Sequence, residues 1–153
     1  MIKIAHRGNI SGKTTEHENS PAYLNEALFE GYNVEVDVWF HQNRWMTGHD
    51  RGQYDVREEF LFQKDIWIHC KNLDALKQLA EISHKDESLS LNFFAHDNDQ
   101  AILTSKGWLW CYPGVSINSG MACAVMPENV GWGKEDIDKL GFGAVCSDNI
   151  CSF

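Results

Sequence analysis

The chain has 153 residues and a mass of 17.5 kDa, with 43% hydrophobic and 12% aromatic residues and 13 Lys and Arg against 22 Asp and Glu, for a net charge of −9. This length favours one domain over residues 1–153, and the apolar content excludes a disordered polar chain. The acidic balance disfavours nucleic acid and anionic lipid surfaces, which bind through cationic faces, but leaves room for a single phosphate in a local cationic pocket.

Ile2–His6 reads as a short buried strand. A polar loop leads to a helix with Ser20 as N-cap, Pro21 at its first position and Gly31 at its end. In Asn33–Phe40 (NVEVDVWF), Val34, Val36, Val38 and Phe40 face one way and Glu35, Asp37 and Trp39 the other. The two carboxylates thus share a face, about 7 Å apart. Arg44–His49 reads as a short hairpin arm and Ile66–Cys70 (IWIHC) as a second buried strand. Leu73, Leu76, Leu79, Ala80 and Ile82 trace an amphipathic helix. Shorter strands are predicted at Leu91–Ala95, Ala101–Thr104, Trp108–Cys111, Cys123–Met126 and Ala144–Ser147, with a helix over Lys134–Leu140.

Eight strands with interspersed helices predict a reduced (β/α)8 barrel of the TIM type. A full barrel takes about 250 residues, so several outer helices must be missing, chiefly in the C-terminal half, where Asp99–Met126 is too short for three crossovers. A small doubly wound sheet is the alternative. Apolar wall left bare near Ala101–Met126 has to be covered by a loop or by a homodimer partner.

Polar residues gather where these strands end, which is where α/β sheets carry their chemistry. His6-Arg7-Gly8 closes the first strand, Gly48-His49-Asp50 follows the hairpin, and His69 and Lys71 end the third strand. His96-Asp97 follows the fourth, Glu128 the seventh, and Asp148 closes the last. Trp39 on the carboxylate side implies that this face is enclosed too. Enclosed carboxylates need a cation, and a divalent metal supplies one while keeping open positions.

The ordered set His6-Arg7-Gly8, Glu18-Asn19-Ser20-Pro21, Glu35-Val36-Asp37 and Gly48-His49-Asp50, with Cys146-Ser147-Asp148 at the last strand, resembles the glycerophosphodiester phosphodiesterases. The resemblance implies metal-assisted hydrolysis of a small phosphodiester, with His6 and His49 as general acid and base. It implies metal ligation by Glu35 and Asp37, with one divalent ion (Mg, Ca or Mn), and substrate phosphate on Arg7 and Lys71. Two other readings stay open: a related lyase that stops at the cyclic phosphate, and a noncatalytic phosphoester-binding scaffold.

One position departs from the family, whose third strand ends Glu-x-Lys. Here His69-Cys70-Lys71 keeps the lysine and replaces the acid. Either His69 is a nitrogen ligand, which favours Mn or Zn, or Asp97 or Glu128 supplies the missing carboxylate, or the site is weakened. Glu18, Asn19, His96, Asp97 and Asp148 are supporting candidates; Glu18 is expected to hold Arg7 and Asn19 to order its loop. Trp108, Trp110 and Tyr112 alternate, as core packing or as a substrate wall.

The five cysteines are odd in number with no C-x-x-C pair, and no apolar run reaches the ~18 residues of a membrane span. The start lacks the pattern of a secretory signal. Reduced thiols and a cytoplasmic location are expected.

Overall fold

The structure is a computed structural model describing residues 1–153. Alternation of side chains along β1 (Ile2–His6), β2 (Asn33–His41) and β5 (Ile66–Cys70) decides its layering. One set (Ala5, Val34, Val36, Val38, Ile66, Ile68) joins the large cluster behind the sheet, under helices α1 (Pro21–Phe29) and α3 (Leu73–Lys85). The other set (Ile4, Trp67) joins Phe94, Trp110, Cys123, Ala144 and Cys146 in a smaller cluster on the concave face. The same period of two carries that face upward from Ile4 to His6, from Trp67 to His69, from Phe94 to His96 and from Cys146 to Asp148.

The expected (β/α)8 TIM barrel does not form. The remaining strands and α-helices are β3 (Arg44–Thr47), β4 (Tyr54–Val56), α2 (Glu58–Leu61), β6 (Asn92–Phe94), β7 (Ala101–Leu103), β8 (Leu109–Cys111), β9 (Ala122–Val125), α4 (Lys134–Leu140) and β10 (Ala144–Ser147). Ten strands make one mixed sheet in the order β4-β3-β2-β1-β10-β9-β8-β7, with β5 on β2 and β6 on β5, and only four α-helices accompany them. The result is a curled half-barrel. Three antiparallel pairings replace crossovers: β2-β3-β4 is a meander and β7-β8 a hairpin. An antiparallel turn needs a few residues where a parallel crossover needs a dozen or more, so a short chain can build this wall without helices.

In the C-terminal half, Val115, Ile117 and Trp132 of the connecting chain and Leu140 of α4 pack against the core. No helix is long and apolar enough to cross a membrane.

The edge of β2 opens the mouth of the half-barrel. β5 pairs with Val34–Val38 along one edge, so β1 and β3 divide the other, β1 taking Asn33–Glu35 and β3 taking Val38–His41. The carboxylate positions lie where β2 parts from β1. The far end is held by Asn72, whose Nδ2 donates to the Phe40 carbonyl while its Oδ1 accepts from Phe40 N and from Ala75 N at the start of α3. Asn72→Ala removes a helix cap and this clasp together. A loss of about 2 kcal/mol is expected, seen as a fall of roughly 4–8 °C in the midpoint of thermal unfolding followed by circular dichroism.

Candidate functional site

The chain leaves β1 through a turn in which Arg7 has φ 53° and Gly8 φ 91°. This left-handed step folds the Arg7 side chain back over the concave face, its Nε 3.0 Å from Asp37 Oδ2 and its Nη1 3.2 Å from Glu18 Oε2. At Gly8 a Cβ would stand 2.8 Å from the Tyr23 ring, so the close approach of α1 requires glycine. Asn19, also left-handed at φ 63°, clasps Asp37 twice: its Oδ1 accepts from Asp37 N and its Nδ2 donates to Asp37 Oδ2.

His6, at the end of β1, places Nδ1 2.7 Å from Asp148 Oδ1 and Nε2 3.8 Å from Glu35 Oε2. Asp148 is itself fixed: Asn9 Nδ2 donates to its Oδ1, and its backbone N donates to Glu128 Oε1. Burial pulls the His6 imidazole down, but the Asp148 bond and the Glu35 charge outweigh it and hold the ring above the ordinary histidine value. Burial raises Asp148, and the same His6 bond, with Asn9, brings its carboxyl below the usual range. This is a histidine–carboxylate pair with the second ring nitrogen turned to the pocket.

Opposite it, the β2–β5 register puts His69 beside Asp37. Glu35 is 2% exposed and Asp37 fully buried. Burial, then the Asp37 charge, pushes the Glu35 carboxyl above its ordinary range despite His6, His69 and Arg7. Asp37 meets the same burial, but its His69 contact and the charges of Arg7 and Lys71 hold it well below. One strand face therefore carries two carboxylates whose environments drive them apart.

Glu35, Asp37 and His69 each present one donor atom within 4.8 Å of the others. His69 Nδ1 stands 3.0 Å from Asp37 Oδ1, and Lys71 Nζ 3.5 Å from it, yet this buried oxygen has no aligned hydrogen bond. An imidazole nitrogen and two carboxylate oxygens this close together, one of them lacking a donor, could hold a divalent ion. The mixed nitrogen–oxygen set suits Mn or Zn better than Mg or Ca. Neither alternative acid joins the cluster. Glu128 Oε1 accepts from Ser147 Oγ and Asp148 N, and the exposed Asp97 lines no part of the cavity, contributing instead a backbone carbonyl to the Tyr112 hydroxyl.

The cavity above these groups measures about 260 Å³. His6, Arg7, Glu35, His49, His69 and Lys71 form its charged side, and Trp110, Tyr112, Pro113, Val125 and Met126 its apolar side. His96 joins the two, stacked on His69 at 4.4 Å and 9° and meeting the Tyr112 hydroxyl at 3.1 Å through Nδ1. Burial, then the charge of His69, lowers its basicity.

His49 stands on the rim with 44% of its side chain exposed and Nδ1 2.6 Å from Asp50 Oδ1. Gly48 (φ 148°) shapes its turn, where a Cβ would come within 2.1 Å of the Arg51 carbonyl. Trp39 Nε1 donates to the Gly48 carbonyl and anchors the turn. Beyond the rim, a second hollow of about 290 Å³ shares Arg7 and His49 with the first and is lined entirely by polar groups, including Lys13, Thr15 and Gln53.

Asn9 escaped the sequence reading although it donates to both Glu18 and Asp148 and so links the two halves of the site. Its place directly after His6-Arg7-Gly8 was the only local signal. Pro113, Val125 and Met126 carried none. No thiol lines the cavity; all five cysteines are free, burial pushes the Cys70 thiol up to about 12, and Cys123 and Cys146 lie well above the ordinary thiol range.

Comparison with protein-family models, with curated proteins and with solved structures returns no match. What defines this protein structurally is a curled half-barrel with a histidine–carboxylate and cation site at the carboxyl ends of its parallel strands.

Proposed function

We propose that the protein is a phosphoric diester hydrolase acting on glycerophosphodiester-type substrates, with His6 and His49 as the proton-transfer pair. The observation that carries this reading is the Asp148-held His6, its free Nε2 facing a cavity that also presents Arg7, Lys71 and a convergent Glu35–Asp37–His69 donor set. Glu35, Asp37 and His69 would hold a divalent ion, which would supply positive charge to offset that of the phosphoryl oxygens. Arg7, which lines both hollows, and Lys71, on the main cavity, hold the non-bridging oxygens. The polar hollow takes the glycerol moiety and the apolar side of the main cavity takes the other alcohol.

The raised basicity of His6 makes its protonated form more available than that of an ordinary imidazole, which suits donation from Nε2 to the leaving alcohol. His49, exposed on the rim, accepts the proton of the substrate glycerol hydroxyl as it attacks phosphorus, and water then opens the resulting cyclic phosphate. Free thiols support work in a reducing compartment such as the cytoplasm.

The test is release of alcohol from glycerophosphodiesters with Mn, Zn, Mg or Ca supplied in turn. Turnover that needs the ion and falls about 10²–10⁴-fold in His6→Ala and in His49→Ala is expected. Unchanged rates in both variants would sink the assignment. Phosphorus NMR of the product separates full hydrolysis from a lyase outcome, since only a lyase accumulates the cyclic phosphate.

A further inference from the structure

His96 lines the main cavity with one of its ring nitrogens already engaged. Nδ1 lies 3.1 Å from the Tyr112 hydroxyl, and that hydroxyl donates its only proton to the Asp97 backbone carbonyl. A carbonyl can only accept, so the Tyr112 oxygen is left to accept from His96, and Nδ1 carries the proton of the neutral ring. Nε2 is then a bare acceptor. The unpaired polar side-chain atoms closed off from solvent are Arg7 Nε, Asp37 Oδ1, Asn92 Oδ1 and Glu128 Oε2. His96 Nε2 is unpaired too but is not closed off, and its ring forms part of the cavity wall.

The ring is also fixed in its plane. It stacks on His69 with centroids 4.4 Å apart and planes 9° from parallel, and His69 stacks in turn on Phe94 at 5.3 Å and 8°. Tyr112 meets it edgewise at 5.2 Å and 84°. An imidazole lone pair lies in the plane of its ring, so two rings stacked in this way do not direct theirs to one point. His96 therefore shares no ion with His69, and it stands outside the Glu35, Asp37 and His69 donor set. The fold presents a preorganised acceptor where the charged side of the cavity gives way to Trp110 and Tyr112.

From this geometry we infer that His96 Nε2 selects the leaving alcohol by accepting from a hydroxyl carried beside its ester carbon. The site then favours polyol diesters over choline diesters, because a quaternary ammonium has neither N–H nor O–H to donate. The inference rests on the hydrolase reading above, in which this side of the cavity takes the second alcohol. A primary amine is the poorer donor here, since Lys71 on the same cavity repels a second ammonium. A choline group in this place strips water from Nε2 and leaves it unpaired, which is the source of the discrimination.

The probes are glycerophosphoglycerol and glycerophosphocholine, compared on the full chain near pH 8, above the ordinary histidine value of about 6.5. Their kcat/KM ratio is measured with Mn supplied, and their dissociation constants by calorimetry in chelator, where no turnover is needed. The polyol diester is expected to lead about tenfold or more in both comparisons. His96→Phe keeps a stacking ring and removes the acceptor, so both ratios should fall nearly to parity. His96→Gln, whose amide oxygen reaches a similar place, should restore most of the preference. Tyr112→Phe, which removes the partner of Nδ1, should reduce it about threefold. Each readout is a ratio within one protein, so a variant with lower overall turnover or stability still reports. A binding preference that depends on His96, without turnover of either diester, upholds this inference and removes the hydrolase reading. Turnover of both diesters without preference, or a preference unchanged in His96→Phe, overturns the inference and leaves the hydrolase reading standing. No binding of either diester up to about 10 mM overturns it as well.

Discussion

Asp37→Asn is expected to destabilise the protein strongly, while Glu35→Gln, two residues away on the same strand face, is expected to stabilise it when no divalent ion is present. The fold lowers the Asp37 carboxyl below its ordinary range, so its ionised form contributes stability above the unfolded value of about 3.9, lost as pH falls through the folded value. Arg7, Lys71, His69 and Asn19 all lean on this one carboxylate. Neutralising it leaves buried cationic groups uncompensated, at about 3–5 kcal/mol. At 2–4 °C per kcal/mol for a chain of this size, the unfolding midpoint should drop by roughly 10 °C at pH 7.

Glu35 has the opposite sign. Its carboxyl is raised by burial and by Asp37, so above about 4.3 the ionised form works against folding. Replacing it with the neutral amide should add on the order of 1 kcal/mol in a chelator. Adding Mn or Zn should then reverse the ranking. An ion at a hundred times its dissociation constant stabilises the parent protein by about 2.7 kcal/mol, and the Glu35→Gln protein, short of one donor, forgoes most of this. Thermal scans of the three proteins with and without the ion decide the matter. Shifts of the same sign for both substitutions in chelator contradict this account of the carboxylate pair.

Asp148→Asn should lower turnover of a glycerophosphodiester by about 10²–10⁴-fold with little change in KM. The physical reason is the 2.7 Å contact between Asp148 Oδ1 and His6 Nδ1. A carboxylate there accepts from Nδ1 and its charge stabilises the imidazolium that donates from Nε2; an amide oxygen still accepts but carries no charge, so the acid form of His6 is disfavoured. A comparable exchange in serine proteases has an effect at the top of this range. The thermal midpoint should move much less than in Asp37→Asn, because the new amide oxygen can still accept from Asn9 and the backbone bond to Glu128 is kept. A rate within tenfold of the parent protein would remove His6 from the proton-transfer role.

Much of the site was legible along the chain because strand alternation is local. NVEVDVWF places Glu35 and Asp37 on one face, IWIHC places His69 opposite Ile68, and strand-end polar residues mark the rim. Supporting contacts were not legible in that way. His6 and Asp148 are 142 residues apart, and nothing in the local pattern of either names the other. Asp97 and His96 are neighbours with similar sequence credentials, yet His96 stacks on His69 while Asp97 stays outside, since consecutive strand-end residues point to opposite sides.

By itself the sequence determined most of the strands (though neither β4 nor the short helix α2), which face their side chains take, and that the polar residues fall at the carboxyl ends. Those properties depend on a period of two and on turn chemistry within a few residues. Tertiary structure alone decided that the strands curl into a half-barrel rather than a TIM barrel, because the choice rests on which edges pair. β2 divides one edge between β1 and β3, and β7 turns back antiparallel on β8. It also decided that His69 meets Asp37 and that His96 stacks on His69, since register and closure are set by contacts between segments far apart in the chain.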